Sequence, residues 1–412
     1  MSGIIGAIGG ALGYGNAPAE EISIVIGGTR ISGWETASIT RSVEQFPSSF
    51  TLTATDQYPG DATQATAFDK GPGEKCQIKI GDDVVITGYV DRYGIDVGPG
   101  HHDVTISGRG ICQDLTDCSA DLMNNPAVTG ATMSASNTLD LAQKLCKSFN
   151  LTALSATSDH GKPVKFFTVA LGETSYEIIE RVARYAGYLV YEDQTGALVL
   201  DRVGTLSHAS GFTMPGNIES ASSTLSIDQR FSQYTVTWNS VAQYSEISPL
   251  ANNRADVKDT AFIAQFPNRY RPRIIPSEQY DPDADYGTAR ANWEMARRIG
   301  RSQAISLTCD SWRDSSGKLW QPNMLAPIYA PALKIINKNW VVSTVVFRKD
   351  ASGTHADLIL MPPAAFTPLP TPLQLWDREI MHATPSGGAA SGPSDAAPTS
   401  PTPASNGLQG RA

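Results

Sequence analysis

Residues 107–119, Ser-Gly-Arg-Gly-Ile-Cys-Gln-Asp-Leu-Thr-Asp-Cys-Ser, end a long run of alternating apolar and polar residues and pass at once into a short polar helical pattern. Alternation of period two marks a strand with one face buried, because successive side chains point to opposite sides. Asp114-Leu115-Thr116-Asp117 instead has the composition of a helix start. A chain that changes period within a few residues has a domain seam at that point.

The rest of the sequence fits a division there. A length of 412 residues exceeds what one core holds and accommodates two to four domains. Thirty-six glycines and 26 prolines imply many turns and short strands, hence a β-rich class. From Ile22 to Gly108 short alternating runs are separated by Gly, Pro and Asp turns, with Gly27-Gly28 suited to a two-residue hairpin and Gly81-Asp82-Asp83 to a second one. This predicts a first antiparallel β domain over 20–112, preceded by an apolar, glycine-rich arm at 1–19. Residues 113–203 predict an inserted α/β domain. Leu139, Ala142, Leu145, Cys146 and Phe149 recur at helical spacing behind Ser136-Asn137, a cap. Thr174-Ser175-Tyr176-Glu177 is a capping box, and Gly187 stands where the helix should end. A hairpin follows, Tyr188–Tyr191 and Ala197–Leu200 about Asp193–Gly196.

After a connector at 204–221, β character returns over 222–370. A helix is expected at about 286–300, where Tyr286, Ala289, Trp293, Ala296 and Ile299 share a face and Asp285 is placed to cap the start. Residues 371–412 form a tail, and from 384 it is almost only Pro, Ser, Ala, Gly and Thr, which cannot build a core and predicts disorder.

Charge and cysteine usage exclude several functions. A net charge of −9 repels phosphate, so sequence-specific DNA binding is not expected, although DNA in transit past the surface is compatible with it. The five cysteines Cys76, Cys112, Cys118, Cys146 and Cys309 contain no C-x-x-C pair and read as reduced thiols. Met1–Tyr14 has no basic flank and is too short to span a bilayer, so neither a signal peptide nor stable membrane insertion is expected; it fits either an arm packed on a neighbour or a frayed end.

No catalytic constellation emerges. The G-x-S-x-G, H-E-x-x-H, P-loop and G-x-G-x-x-G patterns are missing, and no cofactor or metal is predicted. His101-His102 would point to opposite faces of a strand, as a solvated turn does. Asp281-Pro282-Asp283-Ala284-Asp285 copies half of a calcium loop, but Tyr286 and Asn292 stand where Gly and Glu are required. Asp114 and Asp117 suit helix capping better than paired acid–base work. Trp34, Trp320 and Trp340 fit core or interface roles equally.

The phrase Gly108-Arg109, Asp114-Leu115, Asp117-Cys118-Ser119-Ala120 resembles the junction between the first barrel and the inserted domain in tail hub proteins of Mu-like contractile-tailed phages. Ile26–Leu52, with Gly33-Trp34 and the pair Arg41 and Glu44, is similar to the family's first barrel; Glu173–Leu200 to its helix and hairpin; Gly317–Asn323, with Trp320, and the segment through Phe366 to its second barrel. The resemblance covers roughly 20–370 and implies a mainly β fold: two similar small antiparallel β-barrels plus the inserted α/β domain, assembled as a homotrimeric ring. It implies no enzyme but a structural hub in the virion baseplate, made in the bacterial host cytoplasm. The implied partners are the hexameric tail tube protein, a trimeric central spike protein, baseplate wedge proteins, the tape-measure protein and passing DNA without specific binding. Trp34, Arg109, Asp114, Asp117, Trp320 and Asn323 are the structural or interface candidates. The alternatives from other classes are a tail-tip cell-wall hydrolase, with its carboxylates in 113–203, and a glycan- or receptor-binding β protein, which would show clustered exposed aromatics.

Overall fold

The computed structural model describes residues 20–55, 71–99, 101–125, 128–129, 132–161, 163–238, 254–277 and 284–366. The arm at 1–19, the acidic residues 281–283 and the tail after 370 lie outside them.

Seven strands form the first β half: β1 (Ile22–Ile26), β2 (Thr29–Ser32), β3 (Thr36–Ser42), β4 (Ser49–Thr55), β5 (Lys75–Ile80), β6 (Asp83–Gly98) and β7 (His101–Gly110). They lie in the order β3-β4-β7-β6-β5-β1-β2, antiparallel throughout. Gly27 and Gly28, both at positive φ, close β1 on β2 with Ile26 opposite Thr29, the geometry a two-residue primed turn demands. Alternation then decides the faces: Phe50, Leu52, Val104 and Ile106 point into the core.

The chain crosses the seam through a 3₁₀ turn at Ile111–Gln113 and α1 (Asp114–Asp117). The insert follows as β8 (Val128–Thr129), β9 (Thr132–Ala135), α2 (Thr138–Lys147), β10 (Ala153–Ser155), β11 (Val164–Thr168), α3 (Ser175–Ala186), β12 (Leu189–Glu192) and β13 (Leu198–Asp201). Asn137 caps α2 by accepting from the Asp140 amide at 2.8 Å. At α3 the box is reciprocal, Glu177 N–H to Thr174 Oγ1 at 3.2 Å and Thr174 N–H to Glu177 Oε2 at 2.9 Å. Leu141, Leu145, Ile178, Ile179 and Val182 bury these helices against the sheet β10-β13-β12 in a core of their own.

Three strands return the chain to the large sheet, β14 (Leu206–Ser207), β15 (Phe212–Thr213) and β16 (Ile218–Leu225). A second insertion then interrupts it: β17 (Gln233–Trp238), β18 (Arg254–Lys258), α4 (Thr260–Gln265), β19 (Pro272–Ser277) and α5 (Ala284–Arg301). Its sheet, β18-β17-β19, packs on α5 around Tyr234, Val236, Ile275 and Ala291. The expected helix is therefore present but belongs to a separate small unit, and it starts at Ala284, so Asp285 lies inside it and not at its cap. This unit sits on a hairpin, because β20 (Gln303–Cys309) pairs with β16 with Gln303 opposite Leu225. The chain closes with β21 (Met324–Ala330), β22 (Ile335–Asp350) and β23 (Gly353–Met361).

The two β stretches read from the sequence as separate domains share one sheet and one core. β3 lies antiparallel along the outer part of β22, and this contact joins everything into a 14-stranded sheet. Ile24, Ile39 and Leu52 of the first half occupy the same hydrophobic cluster as Val345, Phe347 and Leu358 of the second.

The halves also repeat each other. The order β3-β4-β7-β6-β5 matches β16-β20-β23-β22-β21 both in space and along the chain, with every pair antiparallel. β6 and β22 are each 16 residues long, and each slips register at its ninth residue, Asp91 and Ser343. The likeness ends at the next strand, where β1 is antiparallel to β5 but β14 and β15 are parallel to β21.

Candidate functional site

Most of the candidate residues converge on the two seams where the insert leaves and rejoins the sheet. At the first seam, β7 ends in Gly108-Arg109-Gly110. Arg109 reaches Asp91 with Nε at 2.7 Å and Asp117 with Nη1 and Nη2 at 3.0 and 2.7 Å, fastening the bulge of β6 to α1. The bidentate bond to Asp117 raises the Arg109 pKa and holds the Asp117 carboxyl below its usual range. Partial burial pushes Asp114 up, with the Asp117 charge adding to it. The capping role read from sequence is not what Asp117 performs: α1 has no side-chain cap, and Asp117 is committed to Arg109.

Behind Arg109 lies a residue the sequence reading passed over. Glu192, the last residue of β12, is buried, with Oε1 accepting from the Cys112 amide at 3.0 Å and Oε2 from the Ser48 amide at 3.2 Å. Burial raises its carboxyl to about 7 against the two bonds that favour the charge. Arg41, also buried, donates from Nη2 to the Glu192 carbonyl at 3.4 Å. Gly110 is forced here because a Cβ would lie 1.8 Å from Oε2 of Glu192. The β12–β13 turn docks on the same place, Thr87 Oγ1 donating to the Gln194 carbonyl at 3.0 Å.

At the second seam Asn323, buried and at φ 63°, gives Nδ2 to Asp201 Oδ2 at 3.0 Å and to the Arg202 carbonyl at 2.8 Å, while Oδ1 accepts from the Gly204 amide at 2.9 Å. Its amide donates to the Val342 carbonyl of β22 at 2.9 Å. Trp320 is buried nearby, its Nε1 bonded to the Ser311 carbonyl at 2.8 Å and its ring edge-on to His208. His208 and Asp314 form a buried pair at 3.3 Å. His208 Nδ1 faces Asp314 Oδ2, and Nε2 lies 3.2 Å from the Gln321 amide nitrogen and 3.4 Å from its carbonyl oxygen. Burial lowers the His208 pKa. Trp34 stands apart from both seams, buried in the shared core.

Between the seams a cleft of about 410 Å³ separates the insert from α5. Glu44, Glu180, Arg297 and Arg301 line it together with Tyr176 and Phe366, and Glu44 and Arg301 pair across it at 2.9 Å. Charges of both signs and an ion pair describe a braced contact between units. His101 makes only a long contact to Asp96, 3.7 Å, and no cluster of three metal-ligating side chains occurs among the described residues. None of the described helices is long and apolar enough to cross a membrane.

The seams coincide with the limits of known domains. Residues 21–110 match the Mu phage baseplate assembly protein GpP-like N-terminal domain, 112–202 the second domain of baseplate hub protein gp44-like proteins, and 284–369 the fourth domain of Mu phage baseplate assembly protein GpP. The chain belongs to the Mu-type baseplate hub family. Baseplate hub protein gp44 of Escherichia phage Mu is 28% identical over 352 residues, 84% of this chain and 89% of that one. The 43 kDa tail protein of prophage MuSo2 from Shewanella oneidensis superposes with a TM-score of 0.71 at 29% identity, covering 85% of this hub and 99% of that chain. A tail protein from Neisseria meningitidis MC58 shares the fold at 20% identity, TM-score 0.67, over 87% of this hub and 100% of its own length. The hub is thus a structural component of a phage tail baseplate, and the buried Glu192 and Asp201 of its insert are bonded to residues outside that insert.

Proposed function

We propose that three copies of this hub form a ring at the centre of a contractile-tail baseplate, joining a hexameric tail tube to a trimeric central spike and anchoring the surrounding wedge proteins. The carrying observation is the repeated strand order: each chain contributes two like β units, so three chains present six to a six-fold tube while remaining three-fold towards a spike. In this reading each β half curls into a small barrel, with the insert at 113–203 between them. An obligate ring of this kind buries more than about 2,000 Å² per interface. The net charge of −9 suits a channel that DNA crosses without being gripped. The further reading that the arm at 1–17 packs in or near the lumen against tube, tape-measure or spike subunits concerns residues outside the described ones, and the particle assembles from protein made in the bacterial cytoplasm.

Electron-microscope class averages of the purified protein, alone and then with the candidate spike protein, test this reading. A three-fold ring with an open channel, capped on one face when the spike is added, is the expected result. Single compact particles in both samples would refute it. Tails that assemble normally from a chain lacking residues 1–17 would remove the lumenal role of the arm.

A further inference from the structure

The second insertion leaves one face of its small sheet exposed. Tyr234, Val236 and Ile275 point inward onto α5, so alternation sends their neighbours outward. The register sets these neighbours in three rows: Lys258 with Gln233 and Pro272, Asp256 with Thr235 and Ile274, and Arg254 with Thr237 and Pro276. At one end of the face, α4 and the turn after it close a groove of about 260 Å³, lined among others by Gln233, Lys258, Ile263, Phe266, Arg269 and Tyr270. Tyr270 is 72% exposed, and Ile274, one row further along, 65%. Large apolar side chains left this open mark a surface that a partner covers. The groove is smaller than the roughly 300–1,000 Å³ of a small-molecule pocket and suits one anchoring side chain.

The charge on this unit runs against that of the chain. Residues 226–238 and 254–277 carry six basic groups, Arg230, Arg254, Lys258, Arg269, Arg271 and Arg273, and three acidic ones, Asp228, Asp256 and Asp259, a balance of 6 − 3 = +3 in a protein of net charge −9. The acids do not neutralise the groove. Asp228 sits at the base of the unit, three residues beyond β16. Asp259 is buried, caps α4 and pairs with Arg230. Asp256 accepts from Thr235 and Gln233 and pairs with Arg254, and it meets Lys258 only as a longer-range charge. Lys258 and Arg269, both exposed, make no ion pair with a described residue.

We infer that this face docks an acidic segment of another tail protein, with one apolar side chain of that segment in the groove and its carboxylates on Lys258 and Arg269. A nucleic acid fits less well, because single strands are held on several stacking rings and Tyr270 is the one exposed aromatic beside the groove among the described residues. Pro272 and Pro276 blunt β19 as an edge strand, so the contact is made by side chains on the face and not by strand addition. The inference requires only that the chain works inside a baseplate and is independent of the trimeric ring.

Tyr270→p-benzoylphenylalanine in the full chain puts a photoreactive ring at the groove. Tails assembled with it are irradiated and the linked peptide is sequenced. The expected product is a peptide of another tail protein in which Asp and Glu outnumber Lys and Arg. Lys258→Glu with Arg269→Glu should cut the yield about tenfold, while Lys258→Arg with Arg269→Lys keeps it. The linked sequence, added as a synthetic peptide to purified hub, gives a readout free of tail assembly: it should bind, bind about tenfold more weakly to the charge-reversed hub at an unchanged urea midpoint, and weaken as salt is raised. A link to DNA, to a second hub copy or to a segment without net negative charge overturns the assignment. So does the lack of any link at Tyr270 in assembled tails, or peptide binding that charge reversal leaves unchanged.

Discussion

Gly110→Ala would probe the tightest point of the first seam. Gly110 has φ −59° and ψ 156°, an extended conformation that alanine adopts freely, so any penalty must be steric. The added Cβ would lie 1.8 Å from Oε2 and 2.3 Å from Cδ and Oε1 of Glu192. A glutamate on the surface would swing aside. Here both oxygens are held by main-chain amides, at 3.0 and 3.2 Å, inside a site where Glu192 is 4% exposed. Each hydrogen bond to a charged group contributes about 1.5–3 kcal/mol, so at a pH above about 7, where the Glu192 carboxyl is ionised, losing both costs roughly 3–6 kcal/mol and incomplete rotation roughly 3. Urea unfolding, compared at constant slope, measures the loss. The reasoning makes a sharper claim in a double-mutant cycle: in Glu192→Ala the methyl has room, so Gly110→Ala should then cost less than about 1 kcal/mol. Equal destabilisation in both backgrounds, or less than about 1 kcal/mol in the parent, would show that the carboxylate is not what excludes a side chain.

Three further outcomes follow from the seams. The Glu192 carboxyl is raised from 4.5 to about 7 by burial, so the folded state holds its proton more tightly; its contribution is complete below about 4.5 and is lost as pH rises through about 7. The urea midpoint should therefore fall between pH 5 and pH 8, and Glu192→Gln, which does not titrate, should flatten that decline; an unchanged slope would refute the assignment. Arg109→Lys keeps the charge but cannot span Asp91 and Asp117 together, and because the group is partly exposed the expected cost is about 1 kcal/mol, shrinking in 1 M NaCl. Asn323→Gly retains the left-handed backbone but loses three side-chain hydrogen bonds, a cost of roughly 2–3 kcal/mol by chemical denaturation, while Asn323→Ala should be about 1 kcal/mol worse from its φ of 63°.

Local signals in the sequence were legible because they involve neighbours. Asn137, the Thr174–Glu177 box and Gly187 with φ 72° each act within a few residues of where they stand. Gly108-Arg109 and Asp114–Asp117 stand where β7 gives way to α1, but Asp117 binds a guanidinium eight residues upstream and does not cap the helix. Glu192 was invisible as a site: it ends an ordinary strand, and its burial comes from residues 144 and 80 positions away. The repeat of the two halves was expected from the family resemblance alone and does not show in the residues. Asp83–Gly98 and Ile335–Asp350 occupy equivalent strands yet have almost no residue in common, because a strand's place in a sheet constrains alternation and the site of a bulge more than residue identity. The unit at β17–β19 and α5 escaped notice because its strands have the same period as those of the sheet it interrupts.

The insert is more than an appendage, because its hairpin reaches across the joint that unites the two halves. Glu192, at the end of β12, binds Ser48 and Cys112 of the first half and accepts from Arg41 on β3 through its carbonyl. Asp201, at the end of the paired strand β13, binds Asn323, whose amide donates to Val342 on β22. The same two-stranded ribbon thus holds both β3 and β22, the strands whose pairing makes one sheet of two. Without it, that pairing would rest on a short row of main-chain hydrogen bonds and the apolar contacts beneath them. The internal joint is thus clamped by buried carboxylate and amide contacts.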